Sequence, residues 1–244
     1  MIRTIENWQE AAAVRLFRKS LGFSLLRFRG GLNLIHRRGT RDWDVIHEIL
    51  YAGGYGKALS YLCGAEGGVV LDLGANIGVF SLAAASANTR ISVSAFEPGP
   101  PNADLFAANI AINPDVGKRI VLSRAAVGGW DSEAKWHFDA QNPGGSALKA
   151  GIVGGVTVPV RSLSSVLDTI REPIALLKMD VEGTEYDILE NTPHDLWAKI
   201  PAIGMELHDG KNVGERDAFL QKLKQLGYEI APDACSTLFL KRTT

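Results

Sequence analysis

At 244 residues, 46% hydrophobic and 22% charged, the chain can bury the core of one large α/β domain and has the composition of an ordinary globular protein. Its two cysteines, Cys63 and Cys235, form no C-x-x-C pair, which excludes a disulfide framework and a cysteine-ligated zinc site and fits a reducing compartment. No apolar run approaches the ~20 residues that span a bilayer, and the N-terminus lacks the continuous apolar core of a secretory signal, so the expected location is the cytoplasm. The net charge of −1 is unevenly spread. Residues 1–41 hold nine Lys and Arg against Glu6 and Glu10, a surplus of +7 that leaves −8 for the remainder. That basic segment reads either as a solvated helix face or as an arm meeting an acidic partner, such as an anionic membrane surface.

In chain order, Trp8, Ala12 and Leu16 recur every four residues and predict a helix over 6–20. Glycines 22, 30, 31 and 39 then break residues 21–40 into short strands or loops. Asp42–Leu50 is helical in pattern and ends at Gly53-Gly54, and Lys57–Leu62 adds a turn or two. Val69–Leu82 (V-V-L-D-L-G-A-N-I-G-V-F-S-L) is a buried strand, a tight turn and a helix start. Gly74 and Gly78 lack a Cβ where the backbone turns, and Asn76 tolerates a left-handed conformation. Asp72 is a carboxylate inside an apolar strand, which is costly unless hydrogen-bonded. Further strands follow at Ile91–Phe96, Ile120–Ser123, Ile174–Met179 and Ala202–Leu207. Helices are expected at Asp104–Ile112, after the run Pro98-Gly99-Pro100-Pro101, and at Ala218–Leu226. Lys135–Phe138 pairs with Val156–Val160, and Tyr228–Ile230 forms a closing hairpin with Thr237–Leu240. Apolar strands alternating with helices predict a parallel sheet covered on both faces, a three-layer α/β sandwich. The expected organisation is a basic N-terminal helical extension, 1–41, and one domain, 42–244.

Ligands of such sheets sit at the carboxyl ends of the strands. There the sequence places Asp72, then Glu97, then Asp180 and Glu182, then Glu206, His208 and Asp209. An acid after the second strand, 25 residues beyond Asp72, can accept both hydroxyls of a ribose; it can also simply cap the next helix. The G-x-N-x-G turn lacks the G-x-G-x-x-G spacing of a dinucleotide site, and Asp72 would oppose a pyrophosphate. A cofactor with a ribose, an ammonium and a sulfonium, S-adenosyl-L-methionine, suits it better than NAD.

Several stretches together are similar to the FkbM family of S-adenosylmethionine-dependent methyltransferases, of the class I Rossmann-like fold. They are L-D-L-G-A-N-I-G-V-F-S (71–81), A-F-E-P (95–98), N-I-A-I-N (109–113) and A-V-G (126–128). V-R-S-L-S-S-V-L (160–167), L-K-M-D-V-E-G-T-E (177–185) and E-L-H (206–208) complete the set. Ser164 stands where the family often has Asp, as an equivalent helix cap. The resemblance implies a seven-stranded, mostly parallel sheet with the last strand antiparallel, and methylation of a hydroxyl on a sugar, oligosaccharide or natural product. It implies cofactor binding by Asp72, Gly74, Ala75, Asn76, Gly78, Glu97, Pro98 and Asp180, with adenine near Ala125 and Ala126.

An alcohol acceptor must lose a proton, and the catalytic candidates are Asp180, His208 and Glu206; an unperturbed imidazole, near ~6.5, suits the role. Asp180, Glu206 and His208 also offer ligands to a divalent metal, a weaker reading because Lys178 can neutralise the acids instead. His36, His47, His137 and His194 read as surface or core residues, and Trp43, Tyr51 and Tyr55, which precede the cofactor turn, read as core ahead of a cover over the methyl donor. The loop Asn142–Ser146 is a candidate acceptor lid. Competing functions are an NAD-dependent oxidoreductase, a nucleic-acid methyltransferase and a non-catalytic binding module; no nucleic-acid partner is expected. A small-molecule, glycan or glycolipid acceptor is the expected partner, and the basic segment could make peripheral membrane contact.

Overall fold

The computed structural model describes residues 5–7, 22–136, 155–208 and 214–243. Among them the N-terminal segment holds an antiparallel hairpin, β1 (Phe23–Arg27) and β2 (Asn33–Arg37), to which Ile5 adds a bridge opposite Phe28. The helix expected over 6–20 and the loop Asn142–Ser146 lie outside the described residues, as do His137 and Asp209.

The main sheet is built outward from β3 (Gly68–Leu73), which lies between β4 (Ile91–Phe96) and β9 (Ile174–Met179), both parallel to it. Beyond β4 comes β5 (Ile120–Ser123), and beyond β9 comes β10 (Ala202–Glu206), again parallel. The chain then folds β11 (Tyr228–Pro232) and β12 (Thr237–Arg242) into a hairpin whose turn holds Cys235 and Ser236 at positive φ. That reversal inserts β12 between β11 and β10, antiparallel to both. The seven-stranded sheet is therefore mixed rather than mostly parallel. The pairing expected beyond β5 also forms: β8 (Val156–Ser162) runs antiparallel to β7 (Ser132–Trp136) and parallel to β6 (Ala126–Gly128).

Period-two alternation on β3 divides the core. Val69, Leu71 and Leu73 join one cluster with the helices Leu163–Thr169, Glu185–Asn191 and Glu215–Gln225. Val70 joins the other with the helices Gly56–Cys63, Val79–Ala87 and Pro100–Ala111, and Leu26 and Leu34 of the hairpin are buried in that same cluster. The apolar runs of β3 and β9 follow from being covered on both faces. Pro100 and Pro101 occupy the first turn of their helix, where missing N–H groups cost nothing. The helix after β8 is capped by Ser162, whose Oγ accepts the Ser165 N–H at 3.0 Å, rather than by Ser164. The helix from Asp42 runs to His47 and widens into a π-helical turn, Glu48–Ala52, stopped by Gly53 in the left-handed conformation. No helix among the described residues is long and apolar enough to cross a membrane.

Gly74 ties the turn after β3 to the neighbouring strand. Its φ is +79°, and a Cβ built there would sit 1.8 Å from the Asp180 carbonyl oxygen. Gly74→Ala combines left-handed strain with a backbone clash and is expected to lose about 2–5 kcal/mol of stability in denaturant unfolding.

Candidate functional site

A cavity of about 420 Å³ opens where β3, β4, β9 and β10 end. The turn after β3 forms its floor. Ala75 and Gly74 donate N–H bonds to the Phe96 carbonyl, and Asn76 stands at φ +52°, in the left-handed region that the sequence predicted for it. Asn76 donates its own N–H to Glu97 Oε2 at 2.8 Å, and Gly99 donates to Glu97 Oε1 at 2.8 Å. Glu97 is thus both a partner of its own loop and a wall of the cavity, 4% exposed. Burial pushes its carboxyl up to about 7 against the pull of the Gly99 and Asn76 donors.

Asp72 lies beneath this floor. It is fully buried, accepts the Ser81 hydroxyl at 2.6 Å, and does not line the cavity. Strand register explains its partner: Asp72 on β3 sits directly beside Lys178 on β9. The Lys178 ammonium lies 3.4 Å from Asp72 Oδ1 and 3.4 Å from Asp180 Oδ2, and donates to the Gly74 carbonyl at 2.7 Å. Burial works against that charge, but Asp180 and Asp72 outweigh it and hold the lysine protonated, its pKa raised. Lys178 supplies the counter-charge that the sequence pattern required. Tyr55 completes the group: its ring packs 5.7 Å from the ammonium, and its hydroxyl donates to Asp180 Oδ2 at 3.3 Å.

The far wall is acidic. Glu48, on the π-helical turn, faces the same space as Glu206 at the tip of β10. Burial and then repulsion by Glu206 and Asp180 push Glu48 up to about 7; burial and Asp180 raise Glu206. His208 stands beside them but is taken. Its Nδ1 is 2.9 Å from the buried Glu185 carboxylate and its Nε2 is 3.5 Å from Glu182. The Glu185 hydrogen bond, against the opposing effect of burial, raises the imidazole to about 9. At neutral pH it already carries a proton, which corrects the expectation of a free base near ~6.5.

Of the residues singled out for the cofactor, Gly74, Ala75, Asn76, Glu97, Pro98, Ala126 and Asp180 line the cavity, as do the catalytic candidates Asp180, Glu206 and His208. Asp72, Gly78 and Ala125 do not. Gly78 serves packing instead: a Cβ there would meet the Phe106 ring at 2.0 Å. Donor atoms of Asp180, Glu182 and His208 lie within 4.8 Å of one another, a grouping a divalent ion could use, and Glu206 is outside it. Sequence reasoning missed Glu48, Glu185, Arg41 and Trp136; of these only Glu185, inside the D-V-E-G-T-E stretch, carried a signal. Two buried polar atoms of cavity residues, Asn76 Oδ1 and Trp136 Nε1, have no hydrogen-bond partner among the described residues. One is an acceptor and one a donor, as a polar ligand in this cavity requires.

A family model described as the methyltransferase FkbM domain matches residues 72–230. Methyltransferase 1 of Beauveria bassiana is 27% identical over 184 residues, covering 66% of this chain and 72% of that protein. The 31-O-demethyl-FK506 methyltransferase FkbM of Streptomyces tacrolimicus is 29% identical over 173 residues, covering 59% of this chain and 66% of that protein. The crystal structure of a SAM-dependent methyltransferase from Agrobacterium tumefaciens matches with a TM-score of 0.50 at 12% identity, over 92% of this chain and 72% of that one. That last likeness concerns the fold.

The His208–Glu185 pair is open to direct measurement. NMR titration should place the His208 imidazole near 9, and Glu185→Gln should bring it back toward ~6.5. Because the folded-state pKa is the raised one, the stability this pair adds is complete below ~6.5 and lost as pH rises through 9.

Proposed function

Because the chain belongs to the FkbM methyltransferase family, we propose that it moves a methyl group from S-adenosylmethionine to a hydroxyl of a sugar, oligosaccharide or natural product. The observation that carries this reading is one cavity with two unlike walls. One is the Gly74–Asn76 turn with buried Glu97; the other is Glu48 and Glu206, carboxylates with raised pKa values. The name of the Streptomyces relative, which specifies an oxygen, supports a hydroxyl as the acceptor.

When bound, S-adenosylmethionine supplies an electrophilic methyl carbon on a sulfonium. Glu97, fixed by the N–H groups of Asn76 and Gly99, accepts the ribose hydroxyls. Asn76 Oδ1 and Trp136 Nε1 gain the partners they lack among the described residues. Asp72 acts from below: by holding Lys178 it sets the Gly74 carbonyl and Asp180 in place. Asp180, between the two walls, orients the acceptor. Glu206 takes the acceptor's proton, and burial together with the neighbouring Asp180 raises its affinity for that proton. His208 contributes as an imidazolium that offsets the acids. Exposed Arg27 and Arg29 on the hairpin suit contact with an anionic membrane carrying a glycolipid acceptor.

Assay of labelled S-adenosylmethionine against sugar nucleotides, glycolipids and polyketide alcohols tests the reading. Glu206→Gln is expected to lower kcat by about 10²–10⁴-fold with little change in cofactor affinity. In the parent, kcat/KM should fall as pH drops through 7, because both Glu97 and the base must be ionised. A parent chain that binds no S-adenosylmethionine in calorimetry, or an undiminished Glu206→Gln, overturns the assignment.

A further inference from the structure

The hairpin β1–β2 is joined to the main domain by an unusual device. Along one edge of β2, alternate backbone groups are taken by side chains rather than by a third strand. Asn33 N–H donates to Asn113 Oδ1 at 2.8 Å, Ile35 N–H to Asn109 Oδ1 at 2.7 Å, and Arg37 N–H to Asp42 Oδ2 at 2.8 Å. The two amides also donate back, to the Asn33 carbonyl at 2.7 Å and the Ile35 carbonyl at 3.1 Å. The geometry is a register match. Two residues of strand advance about 6.6 Å and four residues along a helix about 6 Å, so Asn109 meets Ile35 while Asn113, four residues on and just past the helix end, meets Asn33, the two elements running in opposite directions.

From this edge two lines of contact reach the cofactor wall. Asn109 Nδ2 donates also to the Ile77 carbonyl at 2.9 Å, inside the turn between Asn76 and Gly78. Arg37 Nη2 donates to Asn102 Oδ1 at 2.7 Å, and Asn102 Nδ2 faces Glu97 Oε1 at 3.5 Å. The side-chain amide has one acceptor end and one donor end. A guanidinium at the oxygen leaves only the NH₂ for Glu97; a reversed amide would set its carbonyl against the carboxylate. Arg37 is itself fixed, gripping the buried Asp42 through Nε at 2.9 Å and Nη2 at 2.8 Å.

We propose that the β1–β2 hairpin is a positioning element of the methyl-donor site, with Arg37 setting the orientation of Asn102 toward Glu97 and Asn109 bracing the turn at Ile77. This rests on the reading of Glu97 as the ribose acceptor. It makes the basic N-terminal segment part of the donor site's architecture, and it assigns Arg37 a duty distinct from surface charge.

The test is calorimetric titration of S-adenosylmethionine into the full chain and into Arg37→Met, Asn102→Leu and the double variant, each first shown by thermal melting to be folded. Arg37→Met should weaken binding about tenfold, within the range of coupled neighbours, while kcat at saturation falls far less. The double variant should bind no worse than Asn102→Leu alone. The acid limb of cofactor affinity should move to higher pH in Arg37→Met, since Asn102 no longer helps keep Glu97 ionised. Should Arg37→Met not fold, Arg37→Lys decides the matter: it keeps a charge on Asp42 but cannot grip it and Asn102 with a planar fork, and the same loss is expected in smaller measure. Parent-like affinity in a folded Arg37 variant, or strictly additive losses with an unmoved pH limb, overturns the proposal. A parent chain that binds no S-adenosylmethionine overturns the donor reading, and this inference with it.

Discussion

The ammonium of Lys178 is the fixed point of the molecule. A buried cation is tolerated only when nearby groups replace its hydration, and here two carboxylates and a backbone carbonyl do so. Those groups come from two adjacent strands and from the turn that follows one of them. The charge therefore sets the relative positions of the β3 and β9 tips, which pack so closely that no side chain fits between Gly74 and the Asp180 carbonyl. The turn, Asp180 and the Tyr55 hydroxyl form one rigid group because they share one ion.

Around that ion the cavity is electrically graded. Toward β4 lies a carboxylate clothed in backbone N–H groups and one side-chain amide, next to orphaned neutral polar atoms. Toward β10 lie carboxylates whose raised proton affinities come from burial and then from neighbouring acids, Glu206 and Asp180 acting on Glu48 and Asp180 on Glu206. Lys178 and the imidazolium of His208 stand where the acids crowd most, so the cluster persists without neutralising itself entirely. A methyl transfer to a hydroxyl has the same asymmetry: one partner is already activated and needs holding, the other needs to lose a proton.

Much of this was legible in the sequence. The glycine turn, the acid after the second strand, the acids at the tips of β9 and β10 and the closing hairpin were all local patterns. Lys178 stood out as the one charge in an apolar strand. What escaped depended on pairing across the chain. Asp72 was read as touching a ligand, yet strand register sets it against Lys178, 106 residues away, and closes it off. For His208 the sequence suggests either a base or a buried imidazole bonded near Glu206, and nothing local shows that its partner is Glu185, 23 residues earlier. Glu48 was hidden in an ordinary helical pattern because the widening to a π-helical turn has no sequence period of its own. The antiparallel course of the last strand agrees with what the resemblance implies, while its insertion between β11 and β10, which makes the sheet mixed, depends on the short turn at Cys235 and Ser236.

The closed edge of β2 has a consequence for how this chain can vary. Asn109 and Asn113 recognise the main chain of Asn33 and Ile35, whose N–H and C=O groups are the same whatever side chains those positions carry. This contact therefore leaves the side chains of Asn33 and Ile35 unspecified, proline excepted because it has no N–H to give, whereas Leu34 in the core and the Arg37 guanidinium are specified by their own partners. Substitution on the helix's side is restricted: no other residue carries both an acceptor and a donor amide on so short a stem. The contact is asymmetric in its demands, so the hairpin's surface can be reshaped for new partners while the helix holds it in the same place.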